Sequence, residues 1–265
     1  MNDFGELEKS MVQNKRAGFV ANFDILGFKN AVKYSSDRAW IALNLLYDKV
    51  LEICSTPVNI PSMNKSVIGL VNAFHFSDTV VIFSEKDRYE DFFSLVIDSA
   101  VIFAHALTFG IPIRGGIAKG DFFVGLDKRL HSGKAFIQAY EAGETAKWLG
   151  IVIDRDMFSL IKERGWEGND RYFVEWDVPT GICFFGKTRK MVINWPYICK
   201  DIEANTPKPE KEQYKIDFSS LLDAKSSREL YDKNFSELFG PYDRLSIYAK
   251  QKYKNTFNFL KAHLK

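Results

Sequence analysis

Two apolar runs, residues 66–76 and 79–84, are separated in this sequence by a single polar pair, Ser77-Asp78. A connection that short joins antiparallel neighbours, because parallel strands need a crossover of about a dozen residues or more. Ser and Asp at the tip are what turn chemistry asks for. A doubly wound parallel sheet therefore accounts for the chain less well than a mixed sheet. The fold class expected is α/β (α+β), a palm or ferredoxin-like mixed sheet with helices packed on one face.

Before the hairpin, the stretch Phe-Val-Ala-Asn-Phe-Asp-Ile-Leu-Gly-Phe at 19–28 reads as a buried strand that delivers Asp24 to a sheet edge, with Gly27 permitting a sharp bend. A short helix over 28–34 follows, and Ser35 or Ser36 caps a second. There Ala39, Trp40, Leu43, Leu46, Tyr47, Val50 and Leu51 recur at spacings of three and four, so Trp40 and Tyr47 read as core packing. After the hairpin, 87–109 is a helix stopped by Gly110 and Pro112. Residues 111–119 form a strand interrupted by Gly115-Gly116, where another backbone or a ligand approaches closely, and 120–124 continue it. A helix over 133–148, a strand over 151–153 and a helix capped by Asp154 complete this part.

From 172 to 195 further strands add a smaller β segment. The proline-rich and charged stretch 203–216 reads as an exposed linker, and two helices follow over 226–239 and 241–264. This organisation predicts a catalytic domain over 1–165 and an accessory part over 166–265. The chain carries 36 Lys plus Arg against 34 Asp plus Glu. Neither nucleic acid nor an acidic membrane is favoured electrostatically, and any phosphate binding is local. No apolar run of about 18 residues marks a membrane span, and the polar N-terminus does not read as a secretory signal. Cys54, Cys183 and Cys199 show no metal-ligand spacing, as expected of a reducing cytoplasm without structural zinc.

The chemistry points to Asp24 and Asp78, each beside an apolar strand. Projecting from one edge, the two carboxylates would hold divalent ions, hard cations whose coordination a nucleotide's phosphates complete. Main-chain amides from Leu26 through Gly27 and Phe28 to Lys29 are candidates to receive a terminal phosphate. The planar fork of Arg114 suits phosphate oxygens, with Lys119 and Lys134 weaker candidates. His131 reads as a solvent-facing loop residue.

Four stretches stand in order: Phe-Asp-Ile-Leu-Gly-Phe at 23–28, Phe-Ser-Asp-Thr-Val-Val at 76–81, Ile-Arg-Gly-Gly-Ile-Ala-Lys-Gly-Asp at 113–121 and Gly-Lys-Ala-Phe-Ile-Gln-Ala-Tyr-Glu at 133–141. Together they resemble the motifs of class III nucleotidyl cyclases. The resemblance implies a palm-like sheet and a head-to-tail homodimer with active sites at its interface. It also implies two Mg²⁺ or Mn²⁺ ions held by Asp24 and Asp78, with the Ile25 carbonyl assisting. In the implied reaction the 3′-hydroxyl of a nucleoside triphosphate attacks its α-phosphate and pyrophosphate leaves. Phe74 departs from the family's purine enzymes, standing where a lysine or glutamate reads the base. Ile137 and Glu141 stand where an asparagine and an arginine steady the transition state. Ala-Tyr-Glu in the fourth motif and Arg-Gly-Gly-Ile in the third are more similar to the pyrimidine cyclases of the Pycsar antiphage defence system. That implies CTP or UTP as substrate and a separate effector that reads the cyclic product. Phe74 would pack on the base without reading its edge. A catalytically inactive nucleotide-binding module, or a purine or diguanylate cyclase, is the alternative.

Overall fold

The expected hairpin forms, but its first strand covers 71–76 rather than 66–76. Residues 65–67 pair instead with 58–60 in a separate two-stranded sheet. The hairpin lies at the edge of a sheet that runs through most of the chain. The computed structural model describes residues 14–60, 65–67, 70–125, 130–166, 171–180, 186–205, 221 and 223–263. In chain order the elements are β1 (Lys15–Ile25), α1 (Phe28–Tyr34), α2 (Ser36–Ser55), β2 (Val58–Ile60), β3 (Lys65–Val67), β4 (Val71–Phe76), β5 (Thr79–Ser84), α3 (Tyr89–Thr108), β6 (Ile113–Gly125), β7 (Leu130–Gly133) and α4 (Lys134–Glu144). There follow β8 (Ile151–Ile153), α5 (Arg155–Glu163), β9 (Phe173–Thr180), β10 (Gly186–Ile193), α6 (Trp195–Asn205), α7 (Ser227–Asn234), α8 (Ser236–Phe239) and, after a 3₁₀ turn at Tyr242–Arg244, α9 (Ile247–His263).

The main sheet runs β4-β5-β1-β6-β8-β10-β9, with β7 paired to β6. Among the described residues only the β6–β8 pairing is parallel, so the sheet is mixed, as expected from the hairpin. The period-two alternation of β1 divides it between two cores. Phe19, Ala21, Phe23 and Ile25 join the large core under α2 and α3, whereas Val20 faces Ala118, Phe122, Ala135 and Ala139 beneath α4. The helices therefore flank both faces rather than one.

Three expectations need correction. Trp40 is 68% exposed, because the buried stripe of α2 is Ala39, Ala42, Leu46, Val50 and Ile53, and Trp40 is turned about 100° from Ala39. Tyr47 instead packs its ring on His75, with centroids 3.8 Å apart. The second correction concerns α3, which is long and apolar enough by length and composition to cross a membrane, yet 94% of its apolar window is buried inside the protein. The third is the helix expected over 226–239, which is broken at Phe235 into α7 and α8 and closed by Gly240 at φ 80°.

Residues after 165 extend the same sheet. Val192 of β10 pairs with Val152 of β8, and the large core contains Phe19 and Leu260 alike. α9 docks through fully buried Thr256, whose hydroxyl accepts from the Leu149 amide at 2.9 Å, while Phe259 packs edge-on to Trp148 and Trp176. The expected linker begins inside α6, and its part over 206–216 lies outside the described residues, as does Cys183.

Candidate active site

The C-terminal end of β1 and the β4–β5 turn bring the two expected acids together. Asp24 lies between Thr79 of β5 and Arg114 of β6, and Phe76 lies opposite Thr79. Directly paired residues share a face, so Phe76, Thr79, Asp24 and Arg114 form one row on the side covered by α4. The hairpin tip is tied to this row, because the Ile25 amide donates to the Asp78 carbonyl at 3.0 Å. Ser77 reaches the turn with φ 54°, the left-handed conformation that two-residue hairpins require.

Arg114 organises the space between these strands and α4. Only 6% exposed, it donates from Nε and Nη2 to Asp24 Oδ2 at 3.2 and 3.0 Å. Its Nη1 donates to the Glu144 carbonyl at 3.1 Å, and Nη2 also pairs with the Glu144 carboxylate. The fork expected to meet phosphate is thus turned onto protein carboxylates. Burial raises the Asp24 carboxyl above its ordinary range; Arg114 opposes this, and the negative charges of Asp78 and Glu144 add to it.

Such a site has excess negative charge at one edge. Among the described residues no group of three or more His, Cys, Asp or Glu gathers to hold a metal ion alone. Asp24 and Asp78 nevertheless supply two carboxylates, the donor set of Mg²⁺-type ions that complete their shell with substrate phosphates and water. Asp24 Oδ1 stays outside the grip of Arg114, so the residues present fit such an ion.

No protein-family model matches the chain, and no curated protein matches it. Solved structures similar to it include two cyclases. The catalytic core of a rhodopsin-guanylyl cyclase with converted specificity, in complex with ATPαS, aligns over 68% of this chain and 96% of its own, at 16% identity and a TM-score of 0.48. The adenylyl cyclase CyaB from P. aeruginosa aligns over 68% of this chain and 94% of its own, at 17% identity and a TM-score of 0.45. Likeness at that level assigns no residue a role, and the chemistry rests on the side chains in place.

The remaining sequence candidates divide. The Leu26 amide is not open to phosphate, since it donates to the Pro112 carbonyl at 2.7 Å. Gly27 sits at φ 75° ahead of α1, and the first intrahelical bonds run from Asn30 and Ala31 to its carbonyl. The amides of Gly27, Phe28 and Lys29 therefore precede the helical ladder. Phe28 packs its side chain on the large core. Phe74, two residues along β4 from Phe76, stacks face-on with His131 at 3.5 Å and 19°, with Phe136 beside it. His131 is accordingly half-buried rather than solvent-facing, and burial lowers its pKa.

Lys119 lies about 17 Å along β6 from Arg114 and pairs with Asp87 at 2.8 Å, which removes it from the site. Lys134 opens α4 at the opposite end from Glu144, about 15 Å away. Ile137 and Glu141 are exposed on that helix. Glu144 itself had no local sequence signal. It becomes a site residue only because α4 crosses Gly116, where a Cβ would stand 2.1 Å from the Ala139 carbonyl oxygen. The close approach expected at the glycine pair is this helix backbone.

Proposed function

We propose that the chain is a metal-dependent nucleotidyl cyclase of the cytoplasm that converts CTP or UTP to the 3′,5′-cyclic monophosphate and pyrophosphate. The observation that supports it is that Asp24 and Asp78 lie side by side at the end of β1: Asp24 pairs with Thr79, the residue after Asp78, and the Ile25 amide donates to the Asp78 carbonyl. Asp24, Asp78 and the Ile25 carbonyl would hold two Mg²⁺ or Mn²⁺ ions. When bound, such ions lower the pKa of the attacking 3′-hydroxyl and screen the triphosphate.

The chain's own contribution is position. The β1–β5 pairing sets the two carboxylates relative to each other, and Arg114 holds Asp24 from behind. Arg114 would touch a phosphate only with the edge that now holds Glu144. Gly27 and Phe28 offer amides to the phosphates. Phe74 offers the base an apolar ring without a hydrogen-bonding edge, which leaves base choice to other groups. Large apolar side chains exposed on the site's face, Phe76 at 78% and Ile137 at 59%, support a homodimer with the sites at its interface. The product would act as an antiphage signal read by a separate effector.

Incubating the chain with Mn²⁺ and each ribonucleoside triphosphate separately, with products identified by mass spectrometry, tests the reading. Cyclic CMP or cyclic UMP is expected, and linear or absent products from all four contradict it. A second reading, an inactive nucleotide-binding module, is favoured by the Asp24–Arg114 pair and by Ile137 and Glu141. It predicts nucleotide binding with no pyrophosphate release.

A further inference from the structure

The C-terminal helix reaches this site from the far end of the chain. Between α9 and the turn after β1 lies a cleft of about 570 Å³, lined by Leu26, Gly27 and Asn30 on one side and by Arg244, Ser246 and Lys252 on the other. That volume is within the range of small-molecule sites. α9 is anchored without any ligand: Thr256 accepts from the Leu149 amide, and Asn255 Nδ2 donates to the Lys147 carbonyl at 3.2 Å. Lys252 stands one turn before Thr256, so the anchor fixes its backbone over the cleft.

Lys252 is half-buried, and no carboxylate lies within ion-pair distance of its ammonium among the described residues. Its charged surroundings are Arg114 and Lys147 ahead of Glu144 and Asp24, with Arg244 and Tyr248 also lining the cleft. Burial first, and then the two cations, bring its pKa down to about 8. Folding alone does not favour an ammonium kept from water in net positive company, and a bound anion would offset that cost.

We infer that Lys252 is a polyphosphate-binding residue, receiving through this cleft the β- and γ-phosphates of a nucleotide whose α-phosphate lies at Asp24 and Asp78. The compact ammonium is a point charge suited to a phosphate oxygen. A phosphate chain would run from the carboxylate edge, where a divalent ion screens it, to Lys252. The nucleotide rests on the cyclase reading, whereas the anion site rests on the cleft and on an ammonium with no ion-pair partner among the described residues.

Calorimetric titration of the full chain with inorganic tripolyphosphate, pyrophosphate or orthophosphate, each with Mn²⁺, tests it. Tripolyphosphate should bind most tightly to the wild type. Lys252→Met should weaken it by about 10- to 100-fold, the range for a hydrogen bond to a charged group, and Lys252→Arg should restore most of the loss. Lys252→Gln serves as a second neutral variant should the methionine form not fold. Lys190→Met, which removes another partly desolvated lysine lying on β10, should bind as the wild type. Equal tripolyphosphate binding by the wild type and a folded neutral variant overturns the inference. So does orthophosphate as the only ligand, bound alike by all variants. A chain that cyclises nucleotide with an unchanged KM in the neutral variant overturns this inference and leaves the cyclase reading intact. A chain that turns over no nucleotide, yet loses tripolyphosphate on Lys252→Met, does the reverse.

Discussion

Arg114 carries more structural responsibility than the acids it holds, because its buried guanidinium bridges Asp24 on β1 and Glu144 on α4. Removing it leaves two partly buried carboxylates facing each other, whereas removing the Asp24 charge leaves Arg114 still paired with Glu144. Arg114→Met should therefore destabilise the chain by about 3 kcal/mol, and Asp24→Asn by far less, as measured by urea unfolding. A larger loss for Asp24→Asn would show that the Glu144 contact does not hold α4. Asp98 supplies a second test. It is fully buried in α3, its Oδ1 takes no hydrogen bond among the described residues, and burial pushes its pKa well up. An acid with a raised folded pKa contributes most below its unfolded value of about 4 and loses that contribution as pH rises toward the folded pKa, by up to about 1.4 kcal/mol per pH unit. Asp98→Asn should flatten the stability profile above pH of about 4. Parallel wild-type and variant profiles in thermal melts would show that Asp98 does not titrate in this way. Among single residues, Asp24 and Asp78 were legible because each sits where an apolar run stops. Glu144 and Lys252 were not, since nothing near them in sequence shows what lies across from them.

The elements show where local pattern suffices. The hairpin at Ser77-Asp78 was readable from turn length, and the glycine pair from its position inside a strand. What the pattern could not show is which backbone fills that space, because α4 is joined to β6 through β7 and packs back across it. Gly116→Ala would place a Cβ 2.1 Å from the Ala139 carbonyl oxygen and 2.6 Å from the Gly143 amide. It should cost about 1–3 kcal/mol by overpacking and draw Glu144 from Arg114. A thermal melt coinciding with the wild type would mean that α4 is not seated on β6 as described. α2 departs from the expected packing for a related reason. Its apolar positions cover more than half the helix, so spacing alone does not say that the small residues Ala39 and Ala42 face inward while Trp40 faces out.

At the scale of the whole molecule, strand pairing joins residues on both sides of 165, and α9 closes over the turn after β1. Pairings such as Val152 with Val192 join distant segments, which composition cannot reveal. Thr256 is the clasp. Thr256→Val leaves the buried Leu149 amide without its acceptor and should cost about 1–3 kcal/mol, read as faster amide exchange along 247–263. Unchanged exchange there would contradict the clasp. On the proposed reading, Asp24 and Asp78 act together as ligands of the catalytic ions. Pyrophosphate release with Mn²⁺ and the preferred nucleoside triphosphate, compared for wild type, Asp24→Ala and Asp78→Ala, tests it most directly. Either variant should lose about a thousandfold or more in rate, and the double variant little beyond that, as expected of residues acting as a unit. Release undiminished in either single variant would show that the two acids do not hold the catalytic ions together.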